Sequence, residues 1–165
     1  MREMVFACMG FLFGILCGGS AVSICWLVSK NKEQQKRGNR QRYLDLVNQW
    51  LIALQSGCCA ADFLKKRNIY RVAVYGMGLY GRHFIRELSR QSEVVVVYGI
   101  DCKKMKPYRG VCVLQPGEQM EEVDAIINTV IWNHHNIEKQ FAARVHGKIL
   151  NLEDIIFDLI PADQG

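Results

Sequence analysis

Gly76-Met77-Gly78-Leu79-Tyr80-Gly81 matches the pattern GxGxxG, and its setting gives the pattern chemical meaning. It follows a short β-rich run, Arg71-Val72-Ala73-Val74-Tyr75, and opens a segment with helical spacing through Phe84, Ile85 and Leu88. In that context each glycine has a separate task. Gly76 permits a tight turn, Gly78 lets the backbone approach a pyrophosphate, and Gly81 lets the helix pack closely on the strand. The helix N-terminus offers unpaired N–H groups and partial positive charge to phosphate oxygens. Met77 lies within this loop, and Arg82, one residue beyond it, could add a full charge. Asp101 stands 20 residues after Gly81, at the end of a valine-rich run, where an acid can accept hydrogen bonds from a ribose. The competing reading makes Asp101 a cap for the next segment. Lys103, Lys104 and Lys106 follow it and read as a solvated loop. Asp101 would repel a 2′-phosphate, so NAD suits the pattern better than NADP.

Asn133-His134-His135-Asn136 follows a further β-rich run, Asp124 to Thr129. That places His134 and His135 at the carboxyl edge of the expected sheet, where they could orient a sugar or nicotinamide or titrate near neutral pH. They are the catalytic candidates; the alternative leaves them as loop residues beside a helix cap. His83 reads as a surface residue. Two adjacent histidines without further ligands do not suggest a metal site. The sequence has no GxxxxGK[ST] loop, no Gly-x-Ser-x-Gly elbow, and no Tyr followed by Lys four residues later.

The elements that position these residues alternate between strand and helix. Strands are expected at 71–75, 93–100, 111–113, 124–129 and 148–151. Helices are expected at 79–91, 136–145 and 152–159, with a brief one at 118–122. This alternation predicts an α/β, Rossmann-like parallel sheet of order 3-2-1-4-5 with helices on both faces, over residues 69–165. The four valines Val94 to Val97 suggest a strand buried on both faces. Residues 30–68 are expected to form a basic juxtamembrane linker and amphipathic helices. Tyr43, Leu46, Val47, Trp50, Leu51 and Leu54 follow helical spacing, Gly57 provides a stop, and a second short helix covers Ala60 to Arg67. This helical hairpin would rest on the domain or on a second copy.

Met4 to Val28 is a run of 25 residues without a charge, long enough to span a bilayer. A cleavable signal peptide would have a shorter apolar region with positive charge ahead of it. Here Lys30, Lys32, Lys36, Arg37, Arg40 and Arg42 follow the run, against the single acid Glu33. This stretch carries the whole formal charge of +5. The reading is an uncleaved, single-pass membrane anchor at residues 1–29, with the N-terminus outside and the domain cytoplasmic. A nucleic-acid binder should carry its charge on the folded face, so nucleic acid is not an expected partner. Gly10, Gly14 and Gly18 form a GxxxGxxxG stripe through which two anchors could associate as a homodimer. The seven cysteines show no CxxC spacing, which argues against a zinc site or a disulfide framework. With 165 residues, one domain of ordinary size fits and a second catalytic domain does not.

Arg71-Val-Ala-Val-Tyr-Gly-Met-Gly-Leu-Tyr-Gly, Val97-Tyr-Gly-Ile-Asp, Val111-Cys-Val-Leu and Asp124-Ala-Ile-Ile-Asn-Thr-Val together resemble a known family of domains. It is the Rossmann-like, CoA-binding-type domain that precedes the catalytic domain of membrane-bound polysaccharide-biosynthesis epimerases and dehydratases. The same kind of domain opens some sugar-nucleotide acyltransferases and accompanies bacterial glycosyltransferases. The resemblance spans about Arg71 to Ile156. It implies a bacterial protein linked to cell-surface glycan assembly, with a nucleotide or nucleotide-sugar at Gly76, Gly78, Gly81 and Asp101. The catalytic residues of those enzymes have no counterpart in this sequence. The leading expectation is thus a membrane-anchored module that binds NAD or a nucleotide-sugar. The alternatives are a small NAD-dependent oxidoreductase or epimerase-like enzyme completed by a partner, and an interaction scaffold that binds no nucleotide.

Overall fold

The computed structural model describes residues 30, 33–34, 37–90, 93–131, 134–141 and 147–159. The chain divides into two units, Met1–Arg42 and Tyr43–Gly165. In the first, residues 37–42 are helical. The anchor expected over Met4–Val28, with Gly10, Gly14 and Gly18, lies outside the described residues. Among the described residues no helix is long and apolar enough to cross a membrane.

The second unit begins with helix α1 over residues 43–55. It continues with α2 (Ala60–Lys65), β1 (Arg71–Tyr75), α3 (Leu79–Leu88), β2 (Val95–Ile100) and β3 (Cys112–Leu114), then β4 (Ala125–Asn128), α4 (His134–Phe141), β5 (Lys148–Asn151) and α5 (Leu152–Phe157). The five strands form one sheet in the order β3-β2-β1-β4-β5, and every pairing is parallel. The 3-2-1-4-5 order expected from the sequence is the order found. β1 occupies the centre with β4 beside it, and both are short runs with almost no exposed residue. Successive side chains leave a strand on opposite faces. Val72, Val74, Ala125 and Ile127 therefore enter one core, while Ala73, Tyr75 and Ile126 enter the other.

Helices cover both faces, as predicted, but unequally. α1, α2, α3 and α5 all pack into the first core, through Leu46, Leu64, Phe84 and Ile155 among others. Among the described residues, α4 alone supplies helix residues to the second core. Its Ile137 and Phe141, one turn apart, are fully buried, and the Phe141 ring meets Tyr75 edge-on at 5.6 Å. α1 and α3 run side by side in the same direction. Tyr43 meets Tyr80 near their starts, and Trp50 meets Phe84 and Glu87 further along.

Two expectations are corrected. β2 is not buried on both faces throughout: Val95 is exposed and Val96 and Val97 are half-buried. β3 is only three residues long and pairs with Tyr98–Ile100, so the first half of β2 extends past its neighbour. Residues 118–122 form no helix. The segment lacks the buried apolar face that holds the six-residue helices α2 and α5. The segment is held by a turn, Glu118 N–H to Gln115 C=O, and by the Tyr98 hydroxyl, which donates to the Glu121 carbonyl at 2.8 Å. α4 also starts at His134, two residues earlier than its spacing suggested.

Candidate functional site

The glycine loop crosses from the end of β1 into α3 at the carboxyl edge of the sheet. Gly76 has φ +90°, and a Cβ there would lie 2.6 Å from Val130 Cγ2 and 2.8 Å from Thr129 Oγ1. Both backbone conformation and space therefore demand glycine. Gly81 is demanded by space alone: its Cβ would lie 2.1 Å from the Gly76 carbonyl oxygen, a backbone atom with nowhere to go. Gly78 differs from both. Its φ is −72°, its surface is exposed, and a Cβ there would meet nothing within 4 Å.

Gly78 is the N-cap of α3. It supplies no side-chain cap, and no acid occupies the first turn of that helix. The first N–H groups of a helix have no partner within it. The Arg82 N–H donates to the Gly78 carbonyl at 3.1 Å, so the free donors lie in the turn before Arg82. The loop's edge thus presents open backbone and helix-dipole charge, with no acid in the first turn of α3.

Asp101 fastens this loop. One carboxylate oxygen accepts from Met77 N–H at 2.9 Å and the other from Lys103 N–H at 2.9 Å. The capping turn weighed from the sequence is therefore present, together with a cross-strand tie. Each oxygen retains a further lone pair that a ribose hydroxyl could use. Met77 itself turns inward. Its side chain is fully buried against Gly99, where a Cβ would come within 2.5 Å of Sδ. Its N–H goes to Asp101, and its carbonyl accepts from Arg82 Nε at 3.2 Å. Met77 therefore shapes the loop from beneath. The Arg82 guanidinium carbon sits 5.3 Å from the centroid of the Tyr108 ring.

His134 and His135 open α4, and their side chains lie outside the described residues. The segment leading to them starts beside the loop, since Val130 is the nearest neighbour of Gly76. His83 is exposed on α3. Among the described residues no group of three His, Cys, Asp or Glu side chains is placed to hold a metal, and Cys58, Cys59, Cys102 and Cys112 are free thiols.

Two residues at this edge escaped the sequence reading. Thr129 is buried, and its Oγ1 lies 2.9 Å from the Tyr75 carbonyl and 2.8 Å from the Gly76 carbonyl. Its one hydroxyl hydrogen is shared between the last residue of β1 and the first of the loop. The only signal was a hydroxyl residue closing the apolar run of β4. Tyr43 stacks on Tyr80, with centroids 4.2 Å apart and planes 7° from parallel. Burial raises the Tyr43 pKa above its ordinary value. The Ile131 N–H, which donates to its hydroxyl oxygen, pulls the other way, and Tyr80 and Glu153 add to the rise. Tyr43 thus links α1, the first turn of α3 and the β4–α4 connection.

A scan against protein-family models and a search of curated proteins return no match.

Proposed function

We propose that the protein is a membrane-anchored nucleotide-binding module. It holds NAD or a nucleotide-sugar on the loop of Gly76, Gly78 and Gly81, as an accessory to bacterial cell-surface polysaccharide biosynthesis. The observation that carries the reading is Gly78. Gly76 and Gly81 are explained by close neighbours within the chain, whereas a Cβ at 78 would meet nothing, and its N-cap position favours glycine without requiring it. A group from outside that must touch the backbone does call for one. A diphosphate fits the requirement, because its charge suits the uncapped start of α3 and its size needs the missing side chain. Asp101 stands at the tip of the neighbouring strand with lone pairs available for ribose hydroxyls.

The anchor is supported by the uncharged run Met4–Val28 and the basic cluster that follows it. The link to polysaccharide assembly is supported by the resemblance of the strand and loop motifs. The test is calorimetric titration of the full chain in phosphatidylcholine nanodiscs with NAD, NADP, a UDP-sugar and CoA. Saturable binding of NAD or the UDP-sugar, lost in Gly78→Val, is the expected result. A folded full chain that binds neither overturns the reading. Release from the bilayer by an alkaline wash overturns the anchor independently.

A further inference from the structure

The proposed nucleotide site leaves unassigned the side-chain face that α1 and α3 present together. α1 buries Leu46, Trp50 and Ala53 on one side. Each residue of a helix turns about 100° from the last. Leu44, Val47, Leu51 and Leu54 therefore form a second stripe along its flank, and they are 58%, 44%, 52% and 47% exposed. Asp45, the only charged residue between 43 and 55, points about 140° away from that stripe. Across from it α3 presents Leu79, 64% exposed, followed by His83 and Arg86, with Arg90 just past its end. Between the two stripes lies a groove of about 370 Å³ floored by Trp50. Glu87 is the acid in its lining, and its carboxylate is taken up by Trp50 Nε1 and the Ala60 N–H.

We propose that this face docks on the surface of an anionic bilayer. An apolar stripe beside a cationic bank is the pattern of a helix lying in a lipid headgroup region. The chain itself limits the distance. Val28 closes the uncharged run, and Leu44 lies 16 residues later, which spans at most roughly 55 Å even when fully extended. The six basic residues between them favour anionic lipid over neutral lipid. A second copy is the poorer occupant, because docking by the same face would bring two pairs of Arg86 and Arg90 together. This inference rests on the anchor in the proposed function, and not on the nucleotide.

The test places a photo-crosslinking residue at position 51 of the full chain in vesicles of phosphatidylcholine, with or without phosphatidylglycerol. The expected product is a lipid adduct that requires phosphatidylglycerol and falls with added salt. Position 140, exposed on α4 on the opposite side of the sheet, should give none. Each arginine is worth about fivefold at such a surface, so Arg86→Glu with Arg90→Glu should lower the docked-to-free ratio by at least about 25-fold. Leu51 and Leu54 are surface residues, so Leu54→Ser, with the crosslinker at 51, provides a second variant that keeps the fold and reduces the adduct. A protein adduct of doubled mass, or no lipid adduct in either vesicle, overturns the proposal. If an alkaline wash removes the chain from the vesicles, the anchor fails separately. A phosphatidylglycerol-dependent adduct formed from solution would still uphold the docking face.

Discussion

Asp101 Oδ2 holds the Met77 N–H at 2.9 Å, joining the tip of β2 to the loop that follows β1. Met77 is fully buried, so its N–H has no ready substitute partner if the carboxylate is removed. Asp101→Ala should cost about 1–3 kcal/mol of unfolding free energy, read from urea midpoints. Asp101→Asn keeps one acceptor for Met77 and should retain most of the stability, while weakening nucleotide binding in calorimetry. Equal losses of stability in both variants would show that the charge, rather than the acceptor, holds the loop.

The three loop glycines should separate cleanly by stability. Gly81→Ala drives a methyl into the Gly76 carbonyl and should destabilise by about 1–3 kcal/mol or more. Gly76→Ala adds backbone strain at φ +90° to its clashes with Val130 and Thr129, and should cost about as much. Gly78→Val loses a favoured N-cap residue but meets no clash, and should cost about 1 kcal/mol or less, below either of the others. A Gly78→Val protein as unstable as Gly81→Ala would place the reason for Gly78 inside the fold and remove the main support for a ligand.

Glu87 is the joint between three helices. It sits on α3 and accepts from Trp50 Nε1 of α1 and, at 2.7 Å, from the Ala60 N–H at the start of α2. Burial raises its pKa above the ordinary 4.5, outweighing the two N–H donors, which act the other way. The folded chain therefore holds this proton more tightly than the unfolded chain. The corresponding stability is complete below pH 4.5 and is lost as the pH rises through the folded-state value. Glu87→Gln should flatten that part of the pH–stability curve. At neutral pH Glu87→Ala should cost about 1–3 kcal/mol for each donor left without a partner. Trp50 fluorescence is the local readout.

Asp124 titrates in the opposite sense. Its carboxylate accepts from the Arg71 and Tyr70 N–H groups, each at 2.8 Å, and these bonds hold its pKa below the ordinary 3.8. Its contribution is present above pH 3.8 and is lost as the pH falls through the lower folded-state value. Asp124→Asn should lower stability at neutral pH and blunt the acid-side fall in urea midpoint. An unchanged acid limb would mean that the two backbone bonds form equally well with a neutral acceptor.

The sheet order was legible because each strand carries its own signal. Ala125-Ile126-Ile127 is short, apolar and bounded by polar residues, and β4 proves buried along its whole length. The roles of Gly76 and Gly81 were legible because a tight turn and a close helix leave only one residue type. The limits of burial along β2 were not, because they depend on how far β3 reaches beside it. Thr129, Tyr43 and Glu87 were hidden for a related reason. Their partners are the Gly76 carbonyl, Tyr80 and Trp50, which are 37 to 53 residues away, and no local periodicity reports such a pairing. The sequence showed α1 as one apolar helix, and only packing divides its residues into a buried stripe and an exposed one.

The parallel course of α1 and α3 has a mechanical consequence. The chain enters this domain at Tyr43, at the end of α1 that lies beside the glycine loop. Tension arriving through the upstream segment would load the Tyr43–Tyr80 stack first, then Leu46, then the Trp50–Glu87 bond. The helix would peel from that end one contact at a time, without shearing the five strands. The first contact to yield is the one on the opening turn of α3, so the loop would feel a pull on the upstream segment before the core does.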